Sequence, residues 1–582
     1  MRSKVKNFFI GHYLAIILSL VVGFISVAPY FLSKAHIGGD YRGMYFFSTA
    51  NEDVYLSRIQ EIIDGHGWAG SPFLYEYKNF KPVMPPIGEY FYALPAILLD
   101  QPGVRIVIAS KFLFPALVFT LIYCLIYSLS DGKEKFSTKL NAATGGLFAV
   151  LGYDLIDYTT AFNFFTGKIG STSLLLWTRP VNPITGALLL FIFLNLVWKM
   201  INGKSRFLFI PGGIILSLMA GYFFSWGIAV SSLAMLILIF LLKKDRPVAK
   251  NLALTAVSHV FSFLPYWLLI LRPLNNSSEE IYSKNGMFFT HAPIINKVWL
   301  AISLIIFFAL LAEYVKKNSL RFGKTHYFLI GIIGGGWLAY NQQVFTGRTI
   351  WPYHFVQYSI PLAIIIGQVL LANYLKPKFF KAWASVTAVI IITVFSFNAL
   401  ALKSYAVHYE NFRESQKYAG VVSWLNSNAP RDCVVLVKES GEGLNPMVTA
   451  LTQCNSFLTS WVFSGLPEER IDFNFFAKLR LKGVKPEAAK NFMLKNKDEV
   501  RSLFYNDWDQ YFSRSGDEWL IGEIERLSRG YADFYKKDFS GEIKKFKLDY
   551  VVIEEGSKEE TINLLPSLNF IGEFNGYALY EA

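Results

Sequence analysis

The chain is short of charge. Asp, Glu, Lys and Arg make up 17% of its 582 residues, while 53% are hydrophobic. A water-soluble chain carries about 25% charged residues, so much of this one belongs in lipid. Cysteine is scarcer still, at three: Cys124, Cys433 and Cys454. No Cys and His spacing of a zinc site occurs, and there is no basic recognition helix or RNA-binding signature. The net charge of +13 therefore implies no nucleic acid. After Lys403 a glycine-rich phosphate loop and a nucleophile elbow are also missing.

What is present is apolar sequence in long blocks. A bilayer crossing takes about 20 apolar residues, and the blocks give about 11 spans: His12 to Leu32, Val104 to Leu129, Leu140 to Tyr153, Pro183 to Trp198, Phe207 to Tyr222, Phe224 to Leu242, Leu252 to Leu271, Val298 to Val315, Tyr327 to Val344, Pro352 to Leu375 and Phe379 to Leu402. The pair between Phe207 and Leu242 is tight and its members read as short or re-entrant. The first run, from about Phe8, is too long for a signal-peptide core and reads as a retained signal anchor. After Lys403 the blocks stop. Residues 1–402 are thus expected to form a transmembrane domain with a long loop at 33–103, and residues 403–582 a soluble α/β domain.

Lys and Arg cluster in alternate loops: Lys133, Lys135 and Lys139; Lys199, Lys204 and Arg206; Lys243, Lys244, Arg246 and Lys250; Lys316, Lys317, Arg321 and Lys324; Lys376, Lys378 and Lys381. All fall on the side of Arg2, Lys4 and Lys6. The opposite short loops are poorer, holding Lys168, Arg179, Lys284, Lys297 and Arg348. The positive-inside rule puts the N-terminus in the cytoplasm and the C-terminal domain outside, with a bacterial plasma (inner) membrane as the default. Outside, Cys433 and Cys454 fit a disulfide as well as two buried thiols.

The outer loops carry the candidate chemistry. In the first, Gly38-Gly39-Asp40 precedes Asn51-Glu52-Asp53-Val54-Tyr55. Val54, Leu56, Ile59, Ile62 and Ile63 suit an amphipathic helix lying on the membrane surface. Thr49 with Glu52 also fits a capping box, and Asp40 a turn. Lys81 to Gly88 is Pro-rich and leads into a short apolar helix, Tyr90 to Leu99. The second loop holds Asp154, Asp157 and Lys168 and closes on Arg179-Pro180-Val181-Asn182-Pro183. Its two acids also read as a solvated helix end. The third holds Asn341-Gln342-Gln343, Arg348 and His354, where amide and imidazole groups could equally satisfy one another between helices. Arg179 and Arg348 suit a phosphate.

On these motifs the chain resembles the GT-C glycosyltransferases. Asn51 to Tyr55 resembles the first-loop acidic motif, Pro85-Pro86-Ile87-Gly88 a Pro-Pro segment of bacterial members, and Asp154 with Asp157 a second acidic motif, departing from a strict Asp-x-Asp. The resemblance implies a GT-C-like membrane fold and sugar transfer from a polyprenyl-phosphate donor to a glycan, lipid or protein acceptor at the cell envelope. Asp53, or else Asp40, would be the base, with Glu52 as the neighbour of Asp53, and Arg179, Arg348, His354 and Lys168 would bind substrate. Asp53, Asp154 and Asp157 would suit Mg or Mn, with no other cofactor implied. A transporter or flippase is the alternative, against which stand the absence of an internal repeat and the few charges within spans. A scaffold is a third.

In the C-terminal domain, Glu410 to Asn426 and the stretch from Pro486 to Lys537 read as helical. Cys433 to Val437 and Tyr550 to Ile553 read as buried strands, and Phe570 to Tyr580 as a hairpin turning at Asn575-Gly576.

Overall fold

The structure is a computed structural model that describes residues 11–80, 85–130, 135–173, 175–203, 207–270, 287–317, 322–375, 379–441, 443–459, 466–504 and 518–582. Arg2, Lys4, Lys6, Lys81, Lys133, Lys204, Arg206, Lys284, Arg321, Lys376 and Lys378 lie outside the described residues.

Each of the eleven expected spans coincides with a helix: α1 (Tyr13–Ile37), α4 (Gly103–Leu129), α5 (Phe136–Leu151), α7 (Ile184–Ile201), α8 (Phe209–Leu218), α9 (Phe223–Leu242), α10 (Arg246–Ile270), α11 (Lys297–Lys317), α12 (Lys324–Tyr340), α13 (Val356–Leu370) and α14 (Phe380–Ser404). Between them lie α2 (Glu52–Ile63), α3 (Ile87–Leu99) and α6 (Tyr158–Phe165). Among the described residues, six helices are long and apolar enough to cross a membrane: those containing α1, α4, α7, α9, α13 and α14. The others fall short for physical reasons. With ten residues, α8 rises about 15 Å, half a hydrocarbon core. Along α10, Arg246, Lys250, Asn251 and His259 dilute the apolar run.

The helices pack through one large apolar cluster pinned by buried polar contacts. Asn141 of α5 donates to the Gln368 carbonyl of α13 at 3.0 Å and accepts from Trp383 Nε1 of α14 at 3.0 Å. Away from water such bonds keep their partners because the alternative is an unsatisfied polar group.

The face of α2 corrects one expectation. Leu56, Ile59 and Ile62 do not rest on lipid. They are buried with Tyr92 and Ala93 of α3, Val107 of α4 and Ala450 of the C-terminal part. Instead, α3 presents apolar side chains outward: Leu94, Ile97, Leu98 and Leu99 are exposed.

From Val434 the chain builds a mixed sheet in the order β4-β3-β5-β7-β6, from β3 (Val434–Lys438), β4 (Asn455–Ser456), β5 (Tyr550–Glu554), β6 (Asn569–Phe574) and β7 (Tyr577–Glu581). A separate antiparallel pair, β1 (Met287–Phe289) with β2 (Arg348–Ile350), lies between the helices. In the sheet, β3 runs parallel to β4 and β5, and β7 returns antiparallel. Asn575 and Gly576 both have positive φ, 49° and 83°, the twist-matched hairpin turn. Cys433 and Cys454 form a disulfide. The helical stretch after Pro486 is seen at Pro486–Lys495, Lys497–Phe504 and Glu518–Tyr535. The helix expected over Glu410 to Asn426 is interrupted by a tighter turn at Gln416–Tyr418.

The first loop belongs to this sheet as much as to the helices. Val54, Phe73 and Leu74 share a core cluster with Val434, Leu436 and Phe457. The Ser456 amide donates to the Phe73 carbonyl at 2.9 Å, so the loop occupies the outer edge of β4.

Candidate active site

Glu52 opens α2 and turns inward. It is fully buried, accepts from the Ser48 and Thr49 amides at 2.8 and 2.9 Å, from the Tyr45 hydroxyl, and faces Lys111 Nζ of α4 at 2.7 Å. Burial pushes its carboxyl up, but Lys111 and these donors outweigh that and hold it below the ordinary value. Its partners are all filled, so Glu52 anchors the loop.

The residues around Glu52 face two cavities. Asn51, Val54, Tyr55 and Arg58 line one of about 350 Å³, with Glu89, Arg179, Asn182, Tyr222, Trp351 and His354. Asn182, Tyr222 and His354 stand just before α7, α9 and α13, so three helix N-termini end at its wall, where their dipoles favour negative charge. Arg179 Nη2 donates to the Tyr55 hydroxyl at 3.4 Å and the guanidinium lies 5.2 Å from that ring. Its Nε is buried without a hydrogen-bond partner among the described residues. Arg58 is neutralised by Glu89 at 2.5 Å. The Tyr222 hydroxyl meets His354 Nδ1 at 2.8 Å and donates to Gln357 at 3.0 Å. Asn51, Val181 and Trp351 have positive φ, 55°, 62° and 30°, a strained backbone of the kind that collects at functional sites. Gly88 lets α3 approach: a Cβ there would sit 2.7 Å from Val181 Cγ1.

Asp53 turns the other way, into a cavity of about 360 Å³ whose remaining walls are Phe73 and C-terminal residues including Lys438, Asn445 and Phe475. Burial raises its carboxyl above the ordinary value, against hydrogen bonds from its own amide and that of Val54. Phe73 lines both cavities.

The other expected residues lie apart. Asp40 is exposed and 3.7 Å from Arg413. Arg348 is exposed on β2, over the Phe289 ring at 5.3 Å. Lys168 is exposed. Asp157 caps α6, accepting from the Thr160 amide at 2.8 Å, and Asp154 is pushed up to about 7 by burial and then by Asp157. Asp53, Asp154 and Asp157 do not come together: among the described residues no three His, Cys, Asp or Glu side chains form a group that could hold a metal ion.

Tyr55, Arg58, Tyr222 and Trp351 were missed in the sequence. The signal for Tyr55 and Arg58 was spacing: with Asn51 and Val54 they share one side of a helix at i, i+3, i+4 and i+7.

Two solved structures resemble the chain over nearly its whole length. One is ArnT from Cupriavidus metallidurans bound to undecaprenyl phosphate, with a TM-score of 0.47 and 11% identity, covering 99% of this chain and 98% of that one. The other is the same protein in the apo state, with a TM-score of 0.46, 12% identity and the same coverage. No family model matches the chain, and no curated protein matches its sequence.

Proposed function

We propose that the protein is a membrane glycosyltransferase that moves a sugar from a polyprenyl-phosphate donor to an acceptor on the extracytoplasmic face. The observation that carries this reading is the 350 Å³ cavity. It combines a buried Arg179 N–H that has no hydrogen-bond partner among the described residues with three helix N-termini at the ends of apolar helices. A lipid phosphate held in the bilayer by its tail would reach such a place, and its developing charge on departure would be stabilised there. Asp53, on the other face of the same turn and raised by burial, would take a proton from the acceptor hydroxyl in this reading.

Thermal stabilisation of the protein in nanodiscs by polyprenyl phosphate and polyprenyl-phosphate sugars tests the reading. Wild type and Asp53→Asn should both be stabilised and Arg179→Gln should not. Turnover of Asp53→Asn should fall by about 10²–10⁴-fold once an acceptor is supplied. Stabilisation by none of these lipids would overturn the proposal and favour transport.

A further inference from the structure

The cavity at Asp53 differs in kind from the one at Arg179, and the difference bears on the acceptor. None of its walls comes from a helix that is apolar enough to cross a membrane; apart from Asp53 and Phe73, every lining residue belongs to the C-terminal part. An acceptor embedded in lipid has no wall to follow there. Its charges balance: Asp53, Glu439 and Glu499 stand against Lys438, Lys478 and Lys482. Glu499 sits 3.0 Å from Lys478 and 3.6 Å from Lys482, so the site does not select for net charge. What it offers is donors and acceptors interspersed with the aromatic side chains of Phe73 and Phe475. Hydroxyls both donate and accept, and sugar rings carry apolar C–H faces, so this mixture suits a neutral saccharide. An extended peptide would dock on a free strand edge, but the edge of β4 beside the cavity is taken by Phe73. Lys438 is half-buried in the wall, where Glu560 and Glu554 attract it and Lys482 repels it.

We propose that this second cavity binds a saccharide acceptor, positioned by Lys438, with its reacting hydroxyl directed toward the donor cavity at Phe73, which lines both. The assignment rests on the transferase reading and names its acceptor class. In the transfer, the saccharide oxygen forms a bond to the anomeric carbon of the donor. The carbon–oxygen bond to phosphate breaks, the phosphate keeps the electron pair, and the hydroxyl proton passes to the Asp53 carboxylate.

The test uses the full chain in nanodiscs with three probes: neutral oligosaccharides, Ser- and Thr-bearing peptides, and polyprenyl phosphate. Binding is read by saturation-transfer NMR and by melting temperature. An oligosaccharide should bind wild type, and Lys438→Gln should weaken it about tenfold, a loss of about 1.4 kcal/mol. The same variant should bind polyprenyl phosphate as wild type does, which also shows that it is folded. Binding of peptides instead of saccharides overturns the assignment, as does saccharide binding indifferent to Lys438→Gln. The lipid arm is read separately: saccharide binding without polyprenyl phosphate binding overturns the transferase reading while leaving the cavity's ligand class standing.

Discussion

At the scale of single residues, neighbours in sequence face different surroundings. Glu52 is spent on structure, and its buried pair with Lys111 links the first loop to α4. Lys111→Met leaves a carboxylate buried without its cation and should cost about 3–5 kcal/mol, read as a lower melting temperature in detergent. The double variant Glu52→Gln/Lys111→Met should recover part of that loss, as a thermodynamic cycle would report. Asp53→Asn should leave the melting temperature unchanged. The acidic motif was legible from sequence, yet the split between its two acids was not, because Lys111 lies 59 positions along the chain in an apolar run. Arg179 and His354 were legible as polar groups at the ends of spans. Arg348 has the same sequence signature, but β2 turns it onto Phe289. Asp40 shares its loop with Asp53, but Arg413, far along the chain, holds it at the surface.

At the scale of elements, the junction of the first loop with the sheet depends on one cation. Lys78 Nζ lies 2.9 Å from Glu61 and 2.5 Å from Asp432, and His66 adds a contact to Asp432 at 3.1 Å. Burial raises the Glu61 carboxyl from its ordinary 4.5 to about 7, with Lys78 opposing and Asp64 adding. One of its oxygens has no hydrogen-bond partner among the described residues. A carboxyl raised on folding binds its proton more tightly in the native state, so stability should fall as pH rises from 4.5 to about 7. Glu61→Gln should flatten the melting temperature over that window. Asp432 is shifted the other way: burial raises it, but Lys78 and His66 outweigh that and lower it. Its contribution is lost only below its ordinary value, so the two windows are separable. The helices themselves were legible, since apolar blocks of span length admit little else. Strands β3 and β5 were legible as continuous apolar runs, and the hairpin by Asn575-Gly576. The two-residue β4 carries no pattern of its own and exists because β3 and the first loop flank it.

At the scale of the whole molecule, the residues of both cavities come from the first loop, from other connections at one end of the helix bundle and from the C-terminal part beyond it. On the orientation proposed from the charge pattern, that end faces outside the cell. Protease added to intact cells or spheroplasts should cut after residue 403 and leave the connection carrying Lys243 and Lys244 untouched until the membrane is opened. Protection of the C-terminal part would reverse the topology. A disulfide between Cys433 and Cys454 fits an oxidising compartment. Because Phe73 completes the edge of β4, the C-terminal part is not a separable module: a fragment lacking the first loop would expose raw backbone amides and a torn apolar patch, and would be driven to self-association rather than to a free-standing fold.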